Sequence, residues 1–210
     1  MITLFGSHTS PFVRRVRIVC IEKDLDYRLV NSLEEPGKTE LQKLSPIAKV
    51  PVAIIDDDTE EASIVFDSHV LIDTLCEESH VPLRPLFLDR ASRVAESNAI
   101  TLIDEAVLAF VRRMYLERDG SPVDAPYLQK DHARAQNILM HLDRTVAGVY
   151  ATSAGEQVDG LGLAEVALAT GLDWIAFRER FDLTRTPRLA ALLEHWNQRP
   201  SFAQTRPGTC

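Results

Sequence analysis

The sequence predicts a small α/β domain at the amino terminus, followed by a domain built from helices alone. Three observations predict this division. Short apolar runs bounded by turn residues alternate with helical patterns in the first part of the chain, a stretch with two prolines and several charges follows, and every later apolar pattern has helical spacing. We therefore place the first domain at residues 1–78, a linker at 79–90 and the helical domain at 91–210.

The first domain opens with a β-α-β unit. An apolar strand at residues 2–5 leads through a turn to Ser10 and Pro11, which begin a helix, because Ser is a favoured N-cap and Pro fits the first helical position. Residues 27–30 follow as a second strand, and a crossover of this kind makes the two strands parallel. The helical spacing of the apolar residues places the charged residues of this helix on its solvent side: Arg14, Arg15, Arg17, Glu22 and Lys23.

Two more strands and a helix complete the first domain. Pro51 has no N–H to donate to a central ladder, so it stands at the first position of the apolar strand 52–55 or at an edge. A further strand covers residues 64–66, and Asp67 with Ser68 caps the helix that follows. The stretch between the second and third strands is irregular or holds a short helix. The predicted order is β-α-β-α-β-β-α.

The second domain shows four long apolar stripes at helical spacing. They cover residues 92–117, 128–146, 163–177 and 189–196. Gly162 stands at the N-cap of the third of these helices, and Glu165 is placed to supply the reciprocal half of a capping box.

Composition and charge narrow the possible functions. The chain has 210 residues, of which 45% are hydrophobic and 26% are charged, as is usual for a soluble globular protein. Its net charge of −8 argues against a nucleic-acid partner, which a basic surface would bind. No segment has the length and apolarity of a membrane span, and Met1 leads directly into the first strand without room for a signal peptide. We therefore expect a cytoplasmic protein with no membrane partner.

The cysteines and histidines show no metal-binding pattern. Cys20, Cys76 and Cys210 lack paired spacing, and the six histidines lack the spacing of metal ligands, so we predict no metal site. Cys20 and Cys76 fall on helical stretches, where free cysteine is usually a small core residue.

Ser10 is the most informative residue for function. The start of a helix carries unpaired N–H groups and the positive end of the helix dipole, which favour an anion. A hydroxyl at this place can donate a hydrogen bond to a thiolate, or it can serve only as the helix cap. The residues of this turn alone leave both interpretations open.

Three motifs together resemble one family. The segments Ser10-Pro11-Phe12, Lys49-Val50-Pro51 and Asp67-Ser68 occur in the order and approximate spacing of the cytosolic glutathione transferases, nearest to the serine-type classes and their bacterial relatives. The segment at residues 196–202 is similar to the ending of many members. The resemblance implies a thioredoxin-like first domain, an all-helical second domain and a homodimer.

The resemblance also implies a site. Ser10 would be the catalytic residue, donating a hydrogen bond to the sulfur of glutathione. The backbone of Val50, ahead of a cis Pro51, would pair with the cysteinyl part, and Lys49 would meet the glycyl carboxylate. Asp67 and Ser68 would hold the γ-glutamyl ammonium and carboxylate. The implied set of glutathione-binding residues is Phe12, Lys49, Val50, Pro51, Asp67 and Ser68.

The electrophile would bind between the domains, near Phe12 and the first long helix of the second domain. Its candidate residues are His8, Arg113, Met114 and Tyr115. The main hypothesis is a glutathione transferase that conjugates its co-substrate glutathione to small hydrophobic electrophiles. The alternatives are a glutathione-dependent isomerase, dehalogenase or peroxidase, and a catalytically silent glutathione-binding or regulatory protein of the same fold.

Overall fold

The computed structural model describes residues 1–78, 90–149 and 161–208. The chain divides into two compact units, one formed by Met1–Leu83 with Gln198–Cys210 and one formed by Arg84–Asn197. Apart from residue 90, the predicted linker lies outside the described residues, and so does Cys210. The last thirteen residues, which we expected in the helical domain, belong instead to the first unit.

The first unit has the predicted order of elements. They are β1 (Ile2–Gly6), α1 (Pro11–Glu22), β2 (Tyr27–Asn31), α2 (Gly37–Leu44), β3 (Val52–Ile55), β4 (Ser63–Phe66), α3 (Ser68–Glu78) and, from the end of the chain, α8 (Pro200–Ala203). The strands form one sheet in the order β2-β1-β3-β4. β1 is parallel to β2, as predicted, and β3 is antiparallel to both β1 and β4.

Helices cover both faces of this sheet. On one face, Phe5 and Val52 pack against Leu41 of α2 in a buried cluster. Successive residues of a strand point to opposite faces, so Gly6 points to the other face. There, a Cβ atom added at Gly6 would lie 2.3 Å from Cγ2 of Val13, which shows how closely α1 approaches the end of β1. α1 in turn packs beside α3.

We predict that Gly6→Ala destabilises the protein by about 1–3 kcal/mol, because an added methyl group has no room beside a branched side chain on a rigid helix. Urea denaturation measures this loss in the free energy of unfolding. Val13→Ala removes the two γ carbons that clash but costs stability itself, because Val13 is buried. The double variant should therefore lose less than the sum of the two single variants, and additive losses would contradict the packing described here.

The basic residues of α1 are buried, which corrects the expectation that they face solvent. Arg14, Arg15, Arg17 and Lys23 are each at most 9% exposed. The guanidinium of Arg17 donates a hydrogen bond to the hydroxyl of Tyr27 (3.1 Å), and that of Arg15 lies 5.3 Å from the centre of the Phe12 ring. α3 and α8 pack against α1, and burial of long charged side chains is tolerated when their heads find partners.

The end of the chain is tied to α1 by an ion pair. Arg199 donates two hydrogen bonds to the carboxylate of Glu22, at 2.7 and 2.6 Å, and the hydroxyl of Ser201 donates a third. Phe202 is fully buried. These contacts explain why the last residues belong to the first unit, and a contact across more than 170 residues leaves no periodic pattern in the sequence.

We predict that this ion pair makes stability fall in acid. Burial raises the pKa of Glu22, but the hydrogen bonds from Arg199 and Ser201 outweigh burial and leave that pKa below its ordinary value. A lowered pKa in the folded state stabilises the protein above the ordinary pKa of about 4.3, and this contribution disappears as the pH falls through the folded value. Between about pH 5 and pH 3 the free energy of unfolding should therefore fall less steeply for Glu22→Gln than for the wild type. Parallel curves from chemical denaturation would contradict the prediction.

The described part of the second unit is helical, as predicted. Its elements are α4 (Arg90–Arg118), α5 (Pro126–Val149), α6 (Leu163–Phe177), a short 3-10 helix (Leu183–Arg185) and α7 (Pro187–Trp196). α4 packs against α5 and α6, and α7 packs against α5 and α6. α6 is buried on all sides over most of its length, which agrees with its nearly uniform apolar sequence.

The start of α6 is capped from another helix. Gly162 is the N-cap residue, as predicted, and it provides no side-chain hydrogen bond. The buried carboxylate of Glu96 on α4 accepts a hydrogen bond from the backbone N–H of Ala164 at 3.3 Å. A carboxylate at this place is favoured by both the unpaired N–H groups and the helix dipole.

Two cysteines lie on helices of the first unit, Cys20 on α1 and Cys76 on α3. Cys20 is a core residue, as predicted, and burial raises the pKa of its thiol to about 12. Cys76 is only half-buried, and burial raises its pKa as well. Among the described residues, no cluster of three or more His, Cys, Asp or Glu side chains could hold a metal ion. None of the helices in the described ranges has the length and apolarity needed to cross a membrane.

Candidate functional site

The sheet brings the predicted glutathione-binding segments to one edge. Because β1 and β4 both run antiparallel to β3, the carboxyl ends of β1 and β4 lie beside the amino end of β3. Phe5, Val52 and Phe66 are aligned across these three strands. Neighbouring strands are about 4.8 Å apart, so this row is roughly 10 Å wide, which is also about the length of an extended tripeptide.

Two helices begin at this edge. α1 starts just after β1, and α3 starts directly after β4. Each helix start offers unpaired N–H groups and a partial positive charge, so two such starts at one edge favour a ligand with several negative groups. The arrangement suits a peptide that carries carboxylates and a thiolate.

Ser10 is the N-cap of α1. Its backbone is extended, and its Oγ accepts a hydrogen bond from the N–H of Val13 at 3.4 Å. Its carbonyl oxygen accepts from the N–H of Arg14 at 3.0 Å. In the cap the hydroxyl acts as an acceptor, so its own hydrogen is free to be donated to a sulfur atom. Capping and thiol activation are therefore compatible, and the two interpretations of the sequence need not compete.

Asp67 holds the start of α3 in a strained backbone conformation. Its φ is +72°, in the left-handed region that Asp enters more readily than most residues. One carboxylate oxygen accepts a hydrogen bond from the N–H of His69 at 2.7 Å, and the carbonyl accepts from the N–H of Leu71 at 3.1 Å. The carboxylate is exposed and has a second oxygen to offer a ligand, while Ser68 beside it is buried. Strain of this kind is often found at ligand sites.

The segment before β3 has the predicted form. The peptide bond between Val50 and Pro51 is cis, and Pro51 stands directly before the first residue of β3. Val50 is partly buried against the cluster of Phe5, Leu41 and Val52, whereas Lys49 is exposed. A backbone held at the end of a sheet can pair with a peptide in an extended conformation.

His8 and Phe12 flank Ser10 along the chain. Burial, followed by the positive charge of Arg17, lowers the pKa of His8 and so favours the neutral ring. Its Nδ1 is buried and makes no hydrogen bond to a described residue. Phe12 is half-buried under the guanidinium of Arg15.

The remaining predicted electrophile residues lie in the last turns of α4, in the second unit. Arg113 donates to the carboxylate of Glu117 at 2.8 Å, and the same carboxylate accepts from Arg180 at 2.7 Å. Met114 is half-buried, and Tyr115 is exposed beneath the guanidinium of Arg118. Glu117 and Arg180 are not among the predicted residues, although the spacing of four between Arg113 and Glu117 is one that pairs side chains on a helix.

The fold and the geometry of this sheet edge indicate a class of protein. A thioredoxin-like sheet with two helix starts at one edge, followed by a unit whose described part is helical, agrees with the fold that the sequence resemblance implies. Residues 4–82 match the family described as "Glutathione S-transferase, N-terminal domain". The chain is 34% identical to a probable maleylacetoacetate isomerase of Caenorhabditis elegans, over 97% of this chain and 92% of that protein. It is 26% identical to the GST-like protein YibF of Escherichia coli strain K12, over 97% of this chain and 98% of that protein.

A solved structure agrees in fold over the whole chain. The crystal structure of a glutathione S-transferase from Methylobacillus flagellatus KT with glutathione bound has a TM-score of 0.82 and 25% identity, covering 99% of this chain and 100% of that one. The chain belongs to the glutathione S-transferase family. Its fold is the fold of that family, as predicted.

Proposed function

We propose that this protein is a glutathione transferase in which Ser10 activates the thiol of glutathione for attack on small hydrophobic electrophiles. The observation that carries the proposal is the convergence of two helix starts on the edge where Ser10, Val50, Asp67 and Ser68 lie. Glutathione carries two carboxylates, an ammonium and a thiol. Helix starts suit the thiolate and a carboxylate, and the Asp67 carboxylate suits the ammonium.

The energies required are within reach of these groups. The free thiol has a pKa of about 8.5, and lowering it by two units needs about 2.7 kcal/mol in favour of the thiolate. A hydrogen bond to a charged group contributes about 1.5–3 kcal/mol and a helix terminus about 0.3–1 kcal/mol. One hydroxyl and one helix start are therefore sufficient. Ser10 acts as a donor to sulfur and is not itself the nucleophile.

Contacts with the electrophile are proposed separately for each unit, for His8 and Phe12 in the first and for the last turns of α4 in the second. Phe12 offers an aromatic ring, and His8 lies in the turn that carries Ser10, with a lowered pKa that favours its neutral ring. On α4, Met114 and Tyr115 supply apolar surface. Arg113 is held in place by Glu117 and could orient a polar substituent of the electrophile.

The experiment has two parts. Calorimetry measures whether purified protein binds glutathione, and absorbance assays measure conjugation of glutathione to a generic aryl halide. Binding together with conjugation supports a transferase. Binding without turnover of any aryl halide, peroxide or haloalkane would instead indicate a silent binding protein, and absence of binding would contradict the whole proposal.

A glutathione-dependent isomerase is the second candidate, supported by the 34% identity to the probable maleylacetoacetate isomerase of C. elegans. In such a reaction the thiolate adds to a cis double bond conjugated to a carbonyl, forming a C–S bond and an enolate. Rotation about the resulting single bond and expulsion of the thiolate then give the trans alkene and regenerate glutathione. A maleyl ketone offered to the enzyme separates the two candidates, because isomerisation leaves the thiol concentration unchanged whereas conjugation consumes it.

We also propose a cytoplasmic homodimer with a role in detoxification. A groove of about 480 Å³ lies between α4 and α5, with an apolar floor and a basic rim; it is lined by Leu102, Lys130, Ala133, Arg134, Asn137, Ile138 and His141. Ile64 and Val70 of the first unit are exposed apolar residues, and the turn at 56–58 of the same unit consists of three aspartates. The basic rim of the groove and the acidic turn carry opposite charges, which favours a second copy of this chain as the occupant of the groove. Analytical sedimentation of the wild type and of Arg134→Glu tests the proposed homodimer. A monomeric wild type would contradict it.

A further inference from the structure

We propose that Arg14 is a positioning residue for Ser10, and that the end of the chain at residues 202–205 holds Arg14 in place for this purpose. The proposal rests on the proposed function, because it concerns how the hydroxyl that faces the glutathione sulfur is kept at its position. It assigns a part in thiol activation to a segment nearly 190 residues away along the chain.

Arg14 connects Ser10 to the end of the chain. Its backbone N–H donates to the carbonyl oxygen of Ser10 at 3.0 Å. Its side chain is 1% exposed, and the guanidinium donates to the carbonyl oxygen of Phe202 at 3.1 Å and to the hydroxyl of Thr205 at 3.3 Å. Thr205 is itself buried, and its hydroxyl donates to the carbonyl of Ser201 at 2.7 Å. Ser10 is thus one hydrogen bond from a residue whose side chain is fixed at two points.

The chemistry of the Arg14 guanidinium favours a role in fixing the orientation of the start of α1. Burial of a guanidinium is expensive unless its donors are paired, and an apolar side chain of similar volume fills a core without that expense. The planar guanidinium fixes the direction of its hydrogen bonds, so it sets the rotation and the axial position of the first turn of α1. The cap bond from Val13 to Ser10 is long, at 3.4 Å, and holds the hydroxyl only loosely. Displacement of a reacting group by about 1 Å can reduce a rate up to about 100-fold.

The same terminal segment also contacts the other end of α1, which provides a matched control. Arg199 and Ser201 bind Glu22 in the last turn of this helix. α1 has 12 residues and is therefore roughly 18 Å long, so the Glu22 contact is far from the hydroxyl. Both contacts stabilise the packing of the terminal segment, but only the contact through Arg14 lies in the turn that carries Ser10.

The test compares the pKa of the thiol in the complex with glutathione, measured by ultraviolet titration of the thiolate, for four proteins. They are the wild type, Thr205→Val, Arg14→Lys and Arg199→Gln. We expect Thr205→Val and Arg14→Lys to raise the thiol pKa by about 0.5 unit or more. At a pH below the thiol pKa, this rise reduces the thiolate fraction about threefold. Arg199→Gln should lower the melting temperature and leave the thiol pKa as in the wild type. Thr205→Val is nearly isosteric and keeps the test open if Arg14→Lys does not fold.

Two results would overturn the proposal. The first is a thiol pKa in Thr205→Val equal to that of the wild type, and the second is an equal rise in Arg199→Gln, which would indicate general loosening of the helix. A wild-type complex whose thiol pKa equals that of free glutathione would instead refute thiol activation by this protein, so the failure of the proposed function is recognised separately.

Discussion

Ser10→Ala should reduce the rate of glutathione conjugation tenfold or more at neutral pH while glutathione affinity changes little. The substitution removes one hydrogen bond to a charged sulfur, worth about 1.5–3 kcal/mol, and the other groups that hold the tripeptide remain. The thiol pKa should rise by about one to two units, so that less thiolate forms at pH 7. Steady-state kinetics with an aryl halide and calorimetry with glutathione measure the two effects.

Two variants serve as controls for this experiment. Ser10→Thr keeps a hydroxyl at the cap and should retain a large part of the activity. Ser7→Ala changes another serine of the same turn. Ser7 contributes its backbone carbonyl to the turn, which accepts a hydrogen bond from the N–H of Ser10 at 3.1 Å. The Ser7→Ala variant should therefore be as active as the wild type. If Ser10→Ala lost only stability, by about 1 kcal/mol, and kept full turnover, Ser10 would be a cap and nothing more.

Asp67→Gly should weaken glutathione binding by about 10–100-fold without destabilising the fold. The lost carboxylate pairs with an ammonium in the proposed complex, and such a charge-assisted bond contributes about 1.5–3 kcal/mol. The left-handed backbone at Asp67, with φ of +72°, suits Gly better than Asp, which offsets the loss of the side-chain cap. Calorimetry measures the affinity, and urea denaturation measures the free energy of unfolding.

Asp24→Gly is the matched control for this second experiment. Asp24 is also an exposed aspartate with a left-handed backbone, at φ of +54°, and it lies between α1 and β2, at the opposite edge of the sheet. Glutathione affinity should not change in this variant. A similar loss of affinity in both variants would show that backbone strain, and not the carboxylate, explains the effect.

Much of the fold could be predicted from local patterns. Alternating strands and turns, Pro51 before a strand and Asp67-Ser68 before a helix gave the order of elements in the first unit, because each signal depends on neighbours in the sequence. The burial of Arg14 and the cap from Glu96 to α6 could not be predicted in this way. Both depend on partners 68 or more residues away, and periodicity alone marks a charged residue as exposed.

The candidate site, like the fold, could be predicted from the sequence only in part. Motif order predicts Ser10, Val50 and Asp67 as site residues, and antiparallel pairing explains why segments so far apart in sequence reach one edge. The sequence did not reveal that the hydroxyl of Ser10 accepts a bond from Val13, because a cap geometry depends on backbone angles. It also did not reveal Arg180 as a partner of Glu117, since that ion pair joins residues 63 positions apart.

The pKa of glutathione's thiol in complex with the wild type and with Ser10→Ala tests the central claim most directly. Ultraviolet titration of each complex reports the fraction of thiolate at each pH. The account predicts a wild-type value clearly below the value of about 8.5 for the free thiol and a return toward that value in Ser10→Ala. The same lowered pKa in both complexes would contradict it, because the thiol would then be activated by groups other than the hydroxyl at the start of α1.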